Sequence, residues 1–172
     1  MLIVSRKRKN NDSMATRKIG CIGKCTNGLS VDDLSRITQN IEQTLKDPIG
    51  RRILRRYLLQ GGRRDACKCL EFWEKCNVIV SKEEYLATPA DHPPSANLAN
   101  EFEAVMYEAA DLSEISEITL ALLERFSEAQ NTRSPDVMLN VLKDAMTCAS
   151  DHLRKFHSAF SRYALQPCPR KK

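Results

Sequence analysis

Glycine, histidine and aromatic residues are all scarce in this chain. Six glycines in 172 residues, with no long Val/Ile/Thr alternation, offer little for tight hairpins or a pleated sheet, so essentially no β-structure is expected. The three histidines are poorly placed for nucleophilic or metal chemistry. His92 stands among prolines, and His152 and His157 share one segment without a neighbouring cysteine or an HExxH pattern. A hydrolase or metalloenzyme is therefore not expected, and no catalytic residue, metal or cofactor is assigned. The stretch Gly61-Gly62-Arg63-Arg64 lacks the spacing and the Lys-Ser/Thr ending of a phosphate-binding loop, and reads as a connection. No run of about 18 apolar residues occurs, and Met1-Leu2-Ile3-Val4 is far too short for the apolar centre of a signal peptide. A cytoplasmic location is expected, and the odd count of seven cysteines then implies reduced thiols in place of a disulfide framework.

What is present suits one globular domain with a single core: 42% of the residues are hydrophobic and 28% are charged. Charge is unevenly spread. Residues 1–28 hold seven Lys/Arg against Asp12 alone, and Arg170-Lys171-Lys172 close the chain, which leaves residues 29–169 at −4. A mildly acidic body argues against a nucleic-acid surface on the domain, while the basic ends suit anionic phosphates. The chain divides into a flexible basic leader (1–29), a helical domain (30–166) and a basic tail (167–172). In the leader, Cys21 and Cys25 beside cationic residues could combine acylation with basic charge, two signals for peripheral contact with the plasma membrane.

Within the domain, apolar residues recur at three and four. Ser30 with Asp33 caps a first helix whose stripe is Val31, Leu34, Ile37, Ile41 and Leu45, ended by Asp47-Pro48. A second helix spans about 49–59, with Ile53, Leu54, Tyr57 and Leu58 inward, and Gly61-Gly62 stops it. Asp65 can cap the next, whose Cys69, Leu70, Phe72, Trp73 and Cys76 form the densest apolar cluster. Cys67, Cys69 and Cys76 do not converge as zinc ligands and read as core or surface thiols. Ser81 with Glu84 opens a brief helical turn that ends in the proline-rich stretch from Thr88 to Ser95. Leu98, Phe102, Val105, Met106 and Ala109 mark a further helix. After Asp111-Leu112-Ser113, another through Ile115, Ile118, Leu122 and Phe126 completes an antiparallel hairpin. Ser134-Pro135 starts a helix carrying Val137, Met138, Val141, Leu142, Ala145 and Met146, and Ser150 caps a last one with Leu153, Phe156 and Phe160.

Three motifs in order bear on function: Gly50-x-x-x-Leu54-x-x-Tyr57-Leu58, then Leu70-Glu71-Phe72-Trp73-x-x-Cys76, then Asp151-x-x-Arg154-Lys155-Phe156. Their order and distances resemble the regulator of G-protein signalling (RGS) homology domain over about residues 30–165. Pro48-Ile49-Gly50-Arg51 looks like the form of this domain found in G-protein-coupled receptor kinases, without a kinase domain. The resemblance implies an all-α, nine-helix, two-lobed bundle. It also implies binding to the GTP-bound α subunit of a heterotrimeric G protein, and faster GTP hydrolysis by stabilisation of the switch loops. No catalytic side chain of the chain itself is involved, so the domain would act as a GTPase activator and inhibit receptor signalling.

Carried over residue by residue, the partner-binding positions depart from the family pattern. Lys68 and Cys69 stand where the family has a Glu-Asn pair, behind a loop about three residues longer. Asp111 and Ser113 fall where a second asparagine belongs. Thr147 stands for a leucine, Asp151 and Arg154 match, His152 replaces a serine and Lys155 an arginine, with extra residues around Gln130 to Ser134. Fold signature is kept better than contact surface. Two other readings follow: an RGS-homology scaffold that binds another protein without affecting GTP, and an unrelated helical adaptor whose basic ends bind nucleic acid or anionic lipid.

Overall fold

The computed structural model describes residues 19–25, 28–87 and 94–169. The leader to residue 18, most of the proline-rich stretch with His92, and the basic residues 170–172 lie outside the described residues. Among those described there are helices and no strand: α1 (Val31–Ile37), α2 (Ile41–Lys46), α3 (Pro48–Gln60), α4 (Arg64–Leu86), α5 (Leu98–Asp111), α6 (Leu120–Thr132) and α7 (Pro135–Leu165).

The all-α expectation holds, but the described residues form seven helices where nine were expected, and several boundaries move for local reasons. The expected first helix is two. Ser30 and Asp33 do form a reciprocal capping box, but α1 ends at Thr38 and the Asn40 side chain accepts from Gln43 N at 2.8 Å to start α2. The expected final pair is one 31-residue helix, α7. Ser150 does not cap there, because its hydroxyl donates to the Met146 carbonyl one turn back at 2.8 Å. Ser81 likewise lies inside α4, which runs on to Leu86, and Asp65 sits in the first turn of α4 while Arg63 holds the cap position without a side-chain bond. Helix α6 starts only at the Thr119 cap, so Ile115 and Ile118 are buried in a non-helical link.

Helix α7 is the spine. Its inward stripe of Met138, Val141, Leu142, Ala145, Ala149, Leu153, Phe160 and Ala164 packs most extensively against α4, and then against α6. Phe72, Phe102, Phe126 and Phe160 are fully buried in one continuous core. Near its C-terminal end α7 also holds α1 and α2: Ser161 Oγ donates to Thr38 O at 3.0 Å, and Thr44 Oγ1 lies 3.0 Å from His157 Nε2. Gly50 marks the tightest crossing. A Cβ there would lie closer than 3.0 Å to the Thr44 carbonyl oxygen, 3.1 Å from its carbon and 3.0 Å from Ile37 Cγ2.

The leader is not wholly free of the body, a correction to the boundary at residue 29. Ile22 is fully buried, Tyr163 Oη donates to the carbonyls of Ile19 and Gly20, each at 2.6 Å, and Gln60 bonds both Gly20 N and Cys21 O. Packing therefore begins at least eleven residues before Ser30, because Ile22 joins the buried core and its neighbours bond to Gln60 of α3 and Tyr163 of α7.

Candidate protein interface

Three segments distant in sequence meet at one cleft: the first turns of α4, the link after α5, and the middle of α7. A cavity of about 260 Å³ is lined there by Asp65, Lys68, Asp111, Glu114, Ser116 and His152, with Leu112 and Ile115 beneath. Three positions expected from the sequence, Lys68, Asp111 and His152, thus share one recess. Lys155 joins them through Glu117, with which it forms an ion pair, and it reaches Ser116 Oγ at 3.4 Å.

Glu117 organises this surface. Its carboxylate accepts from His152 Nδ1 at 2.9 Å and from Ser116 Oγ at 3.0 Å, besides pairing with Lys155. Burial alone would push its pKa up, but the bonds from Lys155, His152 and Ser116 together outweigh that and hold it down at about 2. The anion holds the imidazole and the ammonium in one arrangement. His152 Nε2 is buried without a hydrogen-bond partner among the described residues.

The remaining expected positions divide. Ser113 is exposed beside the cleft but does not line it. Thr147 and Asp151 are exposed one turn apart on α7. Asp151 pairs with Arg154, which also pairs with Glu42 of α2. Cys69 is a correction. Its side chain is fully buried and its thiol points at the Ala149 carbonyl, 3.6 Å away, so it cannot touch a partner. One residue along a helix turns the side chain by about 100°, so exposed Lys68 commits Cys69 to the core. Burial first, then the charges of Glu117 and Cys148, push the Cys69 thiol up to about 12. Cys67 and Cys76 are core thiols as well, each held above its ordinary pKa by burial first and a nearby glutamate second.

No family model, curated protein or solved structure matches this chain.

Sequence reasoning missed Glu117 and Ser116, because Glu114-Ile-Ser-Glu117 reads as helix and only the turn in the link brings the two to the cleft, Ser116 exposed at its edge and Glu117 half-buried. It also missed a second recess of about 530 Å³ between α4 and α5, lined by buried Ile79 and Val105, exposed Val78 and the acidic Glu71, Glu101 and Glu108. Helical spacing marks Val105 as core, and it is buried there with Ile79, while Val78 beside them is exposed; nothing in the spacing shows that a recess opens over this part of α4 and α5. In the leader, Cys25 is bonded to Cys168 and so offers no free thiol for acylation in this state, while Cys21 stays an exposed thiol. That bond also corrects the expectation of reduced thiols throughout, since two chain ends that look independent in sequence meet at the end of α7. No helix among the described residues is long and apolar enough to cross a membrane.

Proposed function

We propose that this chain is an RGS-type interaction domain that binds the GTP-bound α subunit of a heterotrimeric G protein and accelerates its GTP hydrolysis, so damping receptor signalling. The reading is supported by one observation above the rest: Lys68, Asp111 and His152, expected as partner-binding positions from three separate segments of the chain, line a single cleft, with Lys155 tied to it through Glu117. The chain supplies no reacting group. Hydrolysis uses the α subunit's own arginine and glutamine, and the domain lowers the barrier by holding the switch loops more tightly in the transition-state arrangement than in the ground state. Asp151 would accept backbone N–H groups of a switch loop, Lys155 would position the same segment, and Lys68, Asp111 and His152 would contact the neighbouring loop.

A second reading, a scaffold of the same fold that binds another protein without affecting GTP, is favoured by the burial of Cys69. The family's orienting amide has no counterpart there, and exposed Lys68 brings the opposite charge.

Single-turnover hydrolysis on preloaded α subunits, with binding to their transition-state-analogue forms measured in parallel, separates the two. Acceleration that Asp151→Ala removes supports the activator. Absence of both acceleration and binding with every subunit class sinks it in favour of the scaffold.

A further inference from the structure

The ends of the helical domain meet at the C-terminus of α7, and three cysteines converge there. The Sγ atoms of Cys21, Cys25 and Cys168 all lie within 4.8 Å of one another. Cys21 Sγ and Cys168 Sγ are 3.7 Å apart, while Cys25 and Cys168 are bonded across a Cα separation of 7.2 Å. We propose that these three side chains, once reduced, form a thiolate site for a zinc ion, with the fourth position open to solvent.

The scaffold around the sulfurs is built without them. Gln60 and Tyr163 hold the backbone of residues 19–21, and Ile22 is fully buried. The Lys24 ammonium donates to Ala164 O at 2.7 Å and to the Gln166 carbonyl, capping the last carbonyls of α7. Reduction of the disulfide therefore leaves both cysteine-bearing segments anchored within reach of each other. Preorganisation of this kind is what a metal site needs from its protein.

Local geometry also suits a thiolate ligand. Cys21 and Cys25 flank a turn in which Gly23 has φ of 92°, and the Gly23 N–H lies 3.4 Å from Cys21 Sγ, an orientation that stabilises charge on sulfur. A Cβ at Gly23 would overlap the Arg56 guanidinium, so a cation packs directly against the turn. Three thiolates and one Zn²⁺ carry a net charge of −1, which the guanidinium offsets. With Zn–S bonds of about 2.3 Å, tetrahedral ligands sit about 3.8 Å apart, close to the spacing of Cys21 and Cys168. Cys21 and Cys25 are exposed and Cys168 is half-buried, so an ion can enter and a water can complete the shell.

The chemistry balances in two steps. A dithiol reductant gives two electrons and two protons to the Cys25–Cys168 bond, yielding two thiols and its own disulfide. Zn²⁺ then binds all three sulfurs and releases their three protons, without change of metal oxidation state. The bound ion would clasp the leader to the end of α7 independently of any G-protein partner.

The test uses the full chain, reduced and freed of reductant without oxygen, titrated with Co²⁺ as the spectroscopic substitute and then with Zn²⁺. One equivalent should produce sulfur-to-cobalt charge-transfer absorption and tetrahedral d–d bands, which zinc abolishes. Cys21→Ser, Cys25→Ser and Cys168→Ser should each weaken cobalt binding by about tenfold or more, while Cys148→Ser, elsewhere on α7, leaves it unchanged. Circular dichroism on each variant checks that the helices persist. No charge-transfer band in the reduced chain, a band that survives Cys168→Ser, or a disulfide that excess dithiol fails to open would each overturn the site.

Discussion

Replacing Gly50 by alanine sets two opposed effects against each other. Inside α3, alanine is favoured over glycine by about 0.5–1 kcal/mol, because glycine loses more backbone freedom on folding. Against that, the new methyl group would press on the Thr44 carbonyl group of α2 and lie 3.0 Å from Ile37 Cγ2. The obstacle is mostly backbone, held at the α2 side by Thr44 Oγ1, which donates to the Ile37 carbonyl at 2.9 Å and also meets His157. No rotamer change relieves it, so α2 and α3 must separate. Overpacking of this kind costs about 1–3 kcal/mol and occasionally more, and because backbone is displaced the upper part of that range applies. The net expectation is a loss of about 1–2 kcal/mol, or a fall in Tm of about 2–8 °C for a domain of this size. Thermal unfolding followed by circular dichroism measures it. A Tm equal to or above that of the parent would show that helix propensity wins and that α2 and α3 do not cross as closely as described.

Trp73, almost fully buried and flanked by the Arg51 guanidinium, should cost about 3–5 kcal/mol on truncation to alanine; denaturant unfolding with an unchanged midpoint would remove it from the core. Asp151→Ala should cost no more than the about 0.5 kcal/mol that an exposed i,i+3 pair supplies, and under the proposed function it should abolish α-subunit binding in a pull-down; loss of both together would make the residue structural. Glu117 is held near pKa 2, below the ordinary carboxylate value of 4.5. Its contribution is therefore complete above pH about 4.5 and lost as pH falls toward 2, so Glu117→Gln should flatten the stability profile across that window; an unchanged slope would mean that the Lys155 and His152 bonds do not form. His157 is buried against Thr44, and burial lowers its pKa, with Glu42 opposing and Arg154 adding to the shift. Its neutral form favours the fold above about pH 6.5, and that contribution falls as pH drops below this value; His157→Gln should reduce the loss between pH about 7 and 5, and an identical profile would show that the imidazole is solvated.

Cleft and core differ in how far the sequence foretold them. Core positions Phe72, Trp73, Phe102, Phe126, Leu142 and Phe160 follow from helical spacing alone, since an amphipathic stripe has only one face to bury. Cys69 exposes the limit of carrying contact positions over from a motif: the same period that makes Lys68 exposed sends Cys69 inward. Ser150 shows a related ambiguity. Its hydroxyl can cap a new helix or bond one turn back in a continuing one, and packing of α7 along α4 selects the second.

By itself, the sequence determined the helical class, the stripes that make the core, the caps at Ser30 and the α7 start at Ser134-Pro135, because these depend on residues within a few positions of one another. Tertiary structure alone decided which separated residues become neighbours. Lys68, Asp111 and His152 meet in a cleft only because α4, the link after α5 and α7 pack together, and Glu117 becomes their organiser only when that link turns instead of continuing as helix. Cys21, Cys25 and Cys168, some 143 residues apart at the extremes of the bonded pair, converge because Ile22 is buried, and Lys24 bonded, against the end of α7. Local periodicity is written along the chain, but the closure of long loops is settled by the area buried and the hydrogen bonds made where the chain returns.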